Sequence, residues 1–196
     1  MTAQPKPPLE AEDAFIRALA SLGRGELAEL RRSLSARSGA SYRLERPIFE
    51  HLPARYHGGW GHDAAFLVAG LYALVERPTD RPDTADTAKA SPSVRRNLGH
   101  DLGRLYRLHE RPSTEKRFLA LLDTDETQLP YHLRYAVTLL NAEDIRPDWA
   151  RLLADIAAWH RPERRDEIRQ RWAQAFYRPQ TDAPPTESPA PLEENA

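Results

Sequence analysis

The residues most able to do chemistry in this chain are its arginines. Arg96, His100, Arg104 and Arg107 follow one another at i, i+4, i+8 and i+11. On a helix that spacing places all four within a sector of roughly 80°. Leu98, Leu102 and Leu105 fall on the opposite side, so one face packs and the other presents a basic stripe. Arg111, Lys116 and Arg117 come next, and Arg31–Arg32 form an earlier pair. A guanidinium stays charged and donates a planar fork that matches phosphate, so the chemistry indicated is phosphate binding. The competing reading of any charge run is a solvated helix face.

Catalytic patterns are weaker. Gly58-Gly59-Trp60-Gly61 runs into His62-Asp63 and lacks the Lys-Ser/Thr ending of a phosphate-binding loop, which leaves a flexible turn before a helix. His51, His57, His62 and Asp63 lack the i, i+3 or i+4 spacing of ligands on one helix face, and no metal is expected. Asp123-Thr124-Asp125-Glu126 opens like a calcium loop, but Gln128 and Arg134 stand where glycine and glutamate are needed, so it reads as a polar connection. No nucleophile motif is present and cysteine is absent, which removes thiol catalysis, disulfides and zinc ribbons. The expectation is a protein with no enzymatic activity and no cofactor.

These residues must be positioned by helices. Apolar residues recur at helical period in eight segments, and period-2 alternation is essentially missing, so the fold class is all-α. The segments centre on Phe15–Leu22, Leu27–Leu34 (stopped near Gly39), Asp63–Val75, Leu98–Leu105, a stretch capped by Ser113 or Thr114 and ending at Leu122, Leu129–Leu140, a stretch from Pro147 through Ile156, and Ile168–Phe176. Trp149, Trp159 and Trp172 have apolar helical neighbours and are assigned to the core.

The organisation is a two-part helical bundle of about eight helices with a long central loop. Residues 9–76 form an N-terminal helical part and 94–178 a C-terminal bundle. Between them, 77–93 is rich in Pro, Asp and Thr and reads as a loop or linker. Residues 1–8 and the acidic, proline-containing 179–196 are expected to be disordered tails. Of 28 basic residues 25 are Arg, yet the net charge is −1, so a uniformly basic nucleic-acid binder is excluded while local stripes are not. No apolar run reaches membrane-spanning length and the start lacks a secretory h-region, so no membrane partner and a cytoplasmic location are expected.

Short segments in fixed order carry a resemblance. They are Leu30-Arg31-Arg32, Ser41-Tyr42-Arg43-Leu44, Asn97-Leu98-Gly99, Glu115-Lys116-Arg117-Phe118, His132-Leu133-Arg134, the run from Asp148-Trp149 to Trp159, and Arg171-Trp172 to Tyr177. In this order the chain resembles the CasB family over about residues 12–178. These are the small subunits of the type I-E CRISPR Cascade surveillance complex. The resemblance implies an all-helical, non-catalytic protein that works in antiviral defence. Its implied partners are other Cascade subunits, including the backbone subunits, a second copy of itself, CRISPR RNA and target DNA. The implied task is to hold target DNA in the R-loop through basic residues, with cleavage left to a separately recruited helicase-nuclease.

By motif match the nucleic-acid-binding positions are Arg31, Arg32, Arg43, Lys116, Arg117 and Arg134, and the helical stripe adds Arg96, Arg104 and Arg107. His100 departs from the pattern, standing where some members carry Arg. A sequence-independent binder of this kind contacts phosphates rather than base edges. The alternative reading is a helical protein–protein adaptor with no nucleic-acid contact. A stand-alone nucleic-acid binder and a small hydrolase rank behind it.

Overall fold

The computed structural model describes residues 9–34, 48, 50–76 and 95–178. Within them are eight α-helices, one 3-10 turn (Ala54–Tyr56) and no strand, in agreement with the all-α expectation. In chain order they are α1 (Glu10–Ala20), α2 (Arg24–Ser33), α3 (Gly59–Val75), α4 (Leu98–His109), α5 (Pro112–Leu122), α6 (Leu129–Ala142), α7 (Trp149–Ala158) and α8 (Pro162–Tyr177). The expected tails 1–8 and 179–196, the 77–93 loop, the stop near Gly39 and Arg43 lie outside the described residues.

Local chemistry sets the helix starts, and three of them differ from expectation. Pro112 occupies the first helical position of α5, where its missing N–H costs nothing, so Arg111 is the N-cap. Ser113 and Thr114 are therefore not caps, and Thr114 is buried inside the helix. At α7 the cap is Asp148, whose carboxylate accepts the Arg151 N–H at 3.0 Å, and Pro147 lies outside the helix. The glycine cluster is a helix start rather than a turn before one. Gly58 caps α3 with φ +84°, and α3 begins at Gly59, ahead of Asp63. A Cβ on Gly61 would sit 2.9 Å from the Tyr56 Cα, so the 3-10 turn and α3 approach through that glycine.

α3 is apolar nearly all round because it lies at the centre. Ala64, Ala65, Val68, Ala69 and Leu71 are fully buried, and the helix packs on α2, α6 and α7. Alongside it, α1 lies on α7, α4 on α8, and α5 between α4 and α6. Trp149, Trp159 and Trp172 are buried as expected.

One hydrophobic cluster spans both sides of the 77–93 segment. Polar ties cross the same divide. The Trp60 indole N–H donates to the Ile156 carbonyl at 2.7 Å, and Arg95 pairs with Asp13 of α1; on its own side of the divide Arg95 also meets Asp148 at 3.2 Å. Burial raises the Asp148 pKa above the ordinary carboxylate value, with the Arg151 N–H and Arg95 opposing it.

Candidate nucleic-acid interface

Several arginines hold the fold together. Arg31 donates through Nε to the Ala73 carbonyl and through Nη2 to that of Glu76 at 3.3 Å. It satisfies the carbonyls that the end of α3 leaves open. Arg107 does the same for α8, with Nη1 donating to the Phe176 carbonyl at 2.9 Å. Both guanidiniums are thereby turned toward helix C-termini. Arg169 ties α8 to the α5–α6 connection through the Thr124 carbonyl at 2.8 Å, and Arg165 pairs there with Glu126 at 3.0 Å.

The centre of the fold-holding set is Asp155. Its carboxylate meets Arg151 at 3.1 Å and Arg171 at 2.8 Å, and accepts the Trp172 indole N–H at 2.9 Å. Asp155 is thus held by Arg151 and Arg171. Burial lowers the Arg151 pKa and Asp155 works against that shift.

Of the cations singled out from the sequence, Arg32 on α2, Arg96 just before α4, Arg104 on α4, Lys116 and Arg117 on α5, and Arg134 on α6 are exposed. Within the basic stripe, the His100 Nδ1 lies 3.3 Å from the buried Asp101 carboxylate.

The Arg117 guanidinium carbon stands 4.5 Å from the centroid of the Tyr135 ring, a cation–π distance, and Arg134 is the preceding residue of α6. The nearest acid on α5, Glu115, accepts the Tyr177 hydroxyl at 2.8 Å, which raises the phenol pKa. The α4 stripe lies elsewhere. Leu102 of α4 borders the groove between α5 and α6, and two helical residues later Arg104 projects roughly 160° away around the axis. Arg32 belongs to α2, which packs on α3.

Two residues that sequence reasoning missed border the same groove. Tyr131 is 71% exposed and Tyr135 39% exposed. Their i, i+4 spacing, opposite Leu133, Val137 and Leu140, was the available signal. Among the described residues no group of three or more His, Asp or Glu is placed to hold a metal, and no helix is long and apolar enough to cross a membrane.

The sequence and the fold both have known counterparts. The family model for CRISPR-associated protein Cse2 matches residues 26–177. The chain belongs to the CRISPR-associated Cse2 family. A family member from Thermus thermophilus, named CRISPR-associated protein Cse2, is 36% identical over 153 residues, covering 76% of this chain and 77% of that one. The crystal structure of M. ruber CasB superposes with TM-score 0.71 at 35% identity, covering 87% of this chain and 94% of that chain. A chain of a CRISPR RNA-guided surveillance complex shares the fold with TM-score 0.65 at 22% identity, over 86% of this chain and 90% of its own.

Proposed function

We propose that this chain is the non-catalytic small subunit of a type I-E CRISPR RNA-guided surveillance complex. In this reading it binds nucleic acid without regard to sequence and stabilises target DNA in the R-loop. It acts in the cytoplasm, as one of a pair of copies beside the backbone subunits and the CRISPR RNA. The observation that carries the reading is that Lys116 and Arg117 on α5 and Arg134 on the adjoining α6 are all exposed, on a chain of the Cse2 family. The surveillance-complex chain with the same fold supports its place in the assembly.

The physical basis is additive. Each cation near a phosphate releases a counterion and adds a small increment that ignores base identity. Base pairing with a guide supplies the sequence recognition in such systems. Inside an assembly the effective concentration is high, so weak contacts suffice and a near-neutral chain can serve. The test is the lifetime of the R-loop on a complex reconstituted with and without this chain. Omission is expected to shorten the lifetime on every target sequence. An unchanged lifetime points instead to an adaptor that touches only protein.

A further inference from the structure

The groove between α5 and α6 has a volume of about 280 Å³. Phe118 and Leu121 of α5, with Leu102 of α4 and Leu139 of α6, give it an apolar floor. Tyr131 and Tyr135 stand at its edge with the Arg117 guanidinium. No Asp or Glu lines it, and α6 carries no acidic residue. Tyr131 is the most exposed of the large exposed hydrophobic side chains described, at 71%.

A flat ring held open to water over an apolar floor, with the Arg117 guanidinium at the rim, suits a planar aromatic group linked to negative charge. We propose that this groove takes an unpaired nucleobase of single-stranded nucleic acid. The base stacks on Tyr131, and Arg117 and Lys116 meet the flanking phosphates. The inference rests on the nucleic-acid-binding reading above and narrows its ligand to single strands. A base within a duplex is stacked on both faces and must be extruded at a cost of a few kcal/mol, whereas an unpaired base offers its face directly. Stacking tolerates any base, so the groove is compatible with sequence-independent binding. An apolar peptide side chain from a protein partner is the other conceivable occupant. It fits the floor but leaves the cationic rim unmatched.

The test uses the full chain and a single-stranded oligothymidine carrying one 2-aminopurine, with a duplex of equal length beside it. Binding is expected to change the 2-aminopurine fluorescence. Tyr131→Ala should weaken single-strand affinity about 5- to 150-fold and leave the salt dependence as it was, because stacking releases no counterions. Duplex affinity should hold, and Tyr131→Phe should bind like the parent. If Tyr131→Ala leaves affinity unchanged while Lys116→Ala/Arg117→Ala weakens it, the stacking groove is refuted and the phosphate-binding reading stands. If neither variant changes affinity, both fail. If Tyr131→Ala binds the oligonucleotide normally yet no longer assembles with the other subunits, the groove is a protein pocket and the inference is overturned.

Discussion

Replacing Asp155 with alanine should unfold this protein far more readily than any change to the exposed cations. The Arg151 and Asp155 side chains are 6% and 5% exposed, so the pair is screened by protein rather than water. In Asp155→Ala the Arg151 charge remains buried, although Arg171 can swing outward because it is 37% exposed. Removing one partner of a buried pair costs about 3–5 kcal/mol, most of it the penalty of the charge left behind. The Trp172 indole N–H also loses its acceptor in a fully buried setting. That loss overlaps with the first because one carboxylate serves both, so about 4 kcal/mol is a fair total.

For a chain of this size 1 kcal/mol moves Tm by about 2–4 °C, giving a drop of about 8–16 °C. The assay is a urea and thermal melt followed by far-UV circular dichroism and tryptophan fluorescence. Arg171→Ala is the internal control and should cost much less, since Arg151 still pairs with the carboxylate. A loss below about 1 kcal/mol for Asp155→Ala would refute the assignment of Arg151 and Arg171 to the fold.

Three further outcomes are expected. A Cβ on Gly99 would lie 2.0 Å from the Trp172 carbonyl oxygen, so Gly99→Ala must push α4 off α8 and should cost about 1–3 kcal/mol or more. Gly25→Ala meets nothing within 4 Å in a helix, and the same melts should show it neutral or stabilised by up to about 1 kcal/mol. The third outcome concerns alkali. Burial pushes the Tyr56 phenol up to about 12, and its hydroxyl donates to Glu12. An unfolded phenol titrates near 10, so between about pH 10 and 12 the unfolded chain has shed a proton that the folded chain keeps. Stability from this group is complete below about pH 10 and is lost as pH rises toward 12, by about 2–3 kcal/mol in all. Urea melts at pH 9 and pH 11 should show a shallower loss for Tyr56→Phe than for the parent. An equal loss would mean that the phenol ionises freely in the fold.

Helix identity was legible because burial imposes a period. Leu98, Leu102 and Leu105 on α4, and Leu129, Leu133, Val137 and Leu140 on α6, recur at the expected spacing and are all buried. Helix starts were less legible, because several residue types compete for one position and geometry picks between neighbours. Pro112 displaced Ser113 and Thr114 in this way, and Asp148 displaced Pro147.

The arginines show a deeper limit. Arg31 and Arg32 are adjacent and chemically identical, yet one meets the open carbonyls of α3 and the other is exposed. That division depends on where α3 ends in space, which pairwise spacing on α2 does not encode. Arg107 was placed on a solvent stripe by its angle, but α8 ends beside it and takes its guanidinium. The groove was hidden for the same reason. Its floor comes from three helices, and only Tyr131 and Tyr135 carry a local trace of it.

The most direct measurement is the dissociation rate of labelled target DNA from the reconstituted complex at several salt concentrations. The comparison is between the parent subunit and Lys116→Ala/Arg117→Ala/Arg134→Ala, with occupancy of the complex verified. These cations are exposed, so the variant should melt within about 1 kcal/mol of the parent. The variant complex should release every target faster, whatever its sequence. The logarithmic salt dependence of affinity should become shallower by about 0.7 for each lost contact on single-stranded DNA, or about 2 for all three. Equal dissociation rates and equal salt slopes for parent and variant, at full occupancy, would show that the α5–α6 face does not touch nucleic acid.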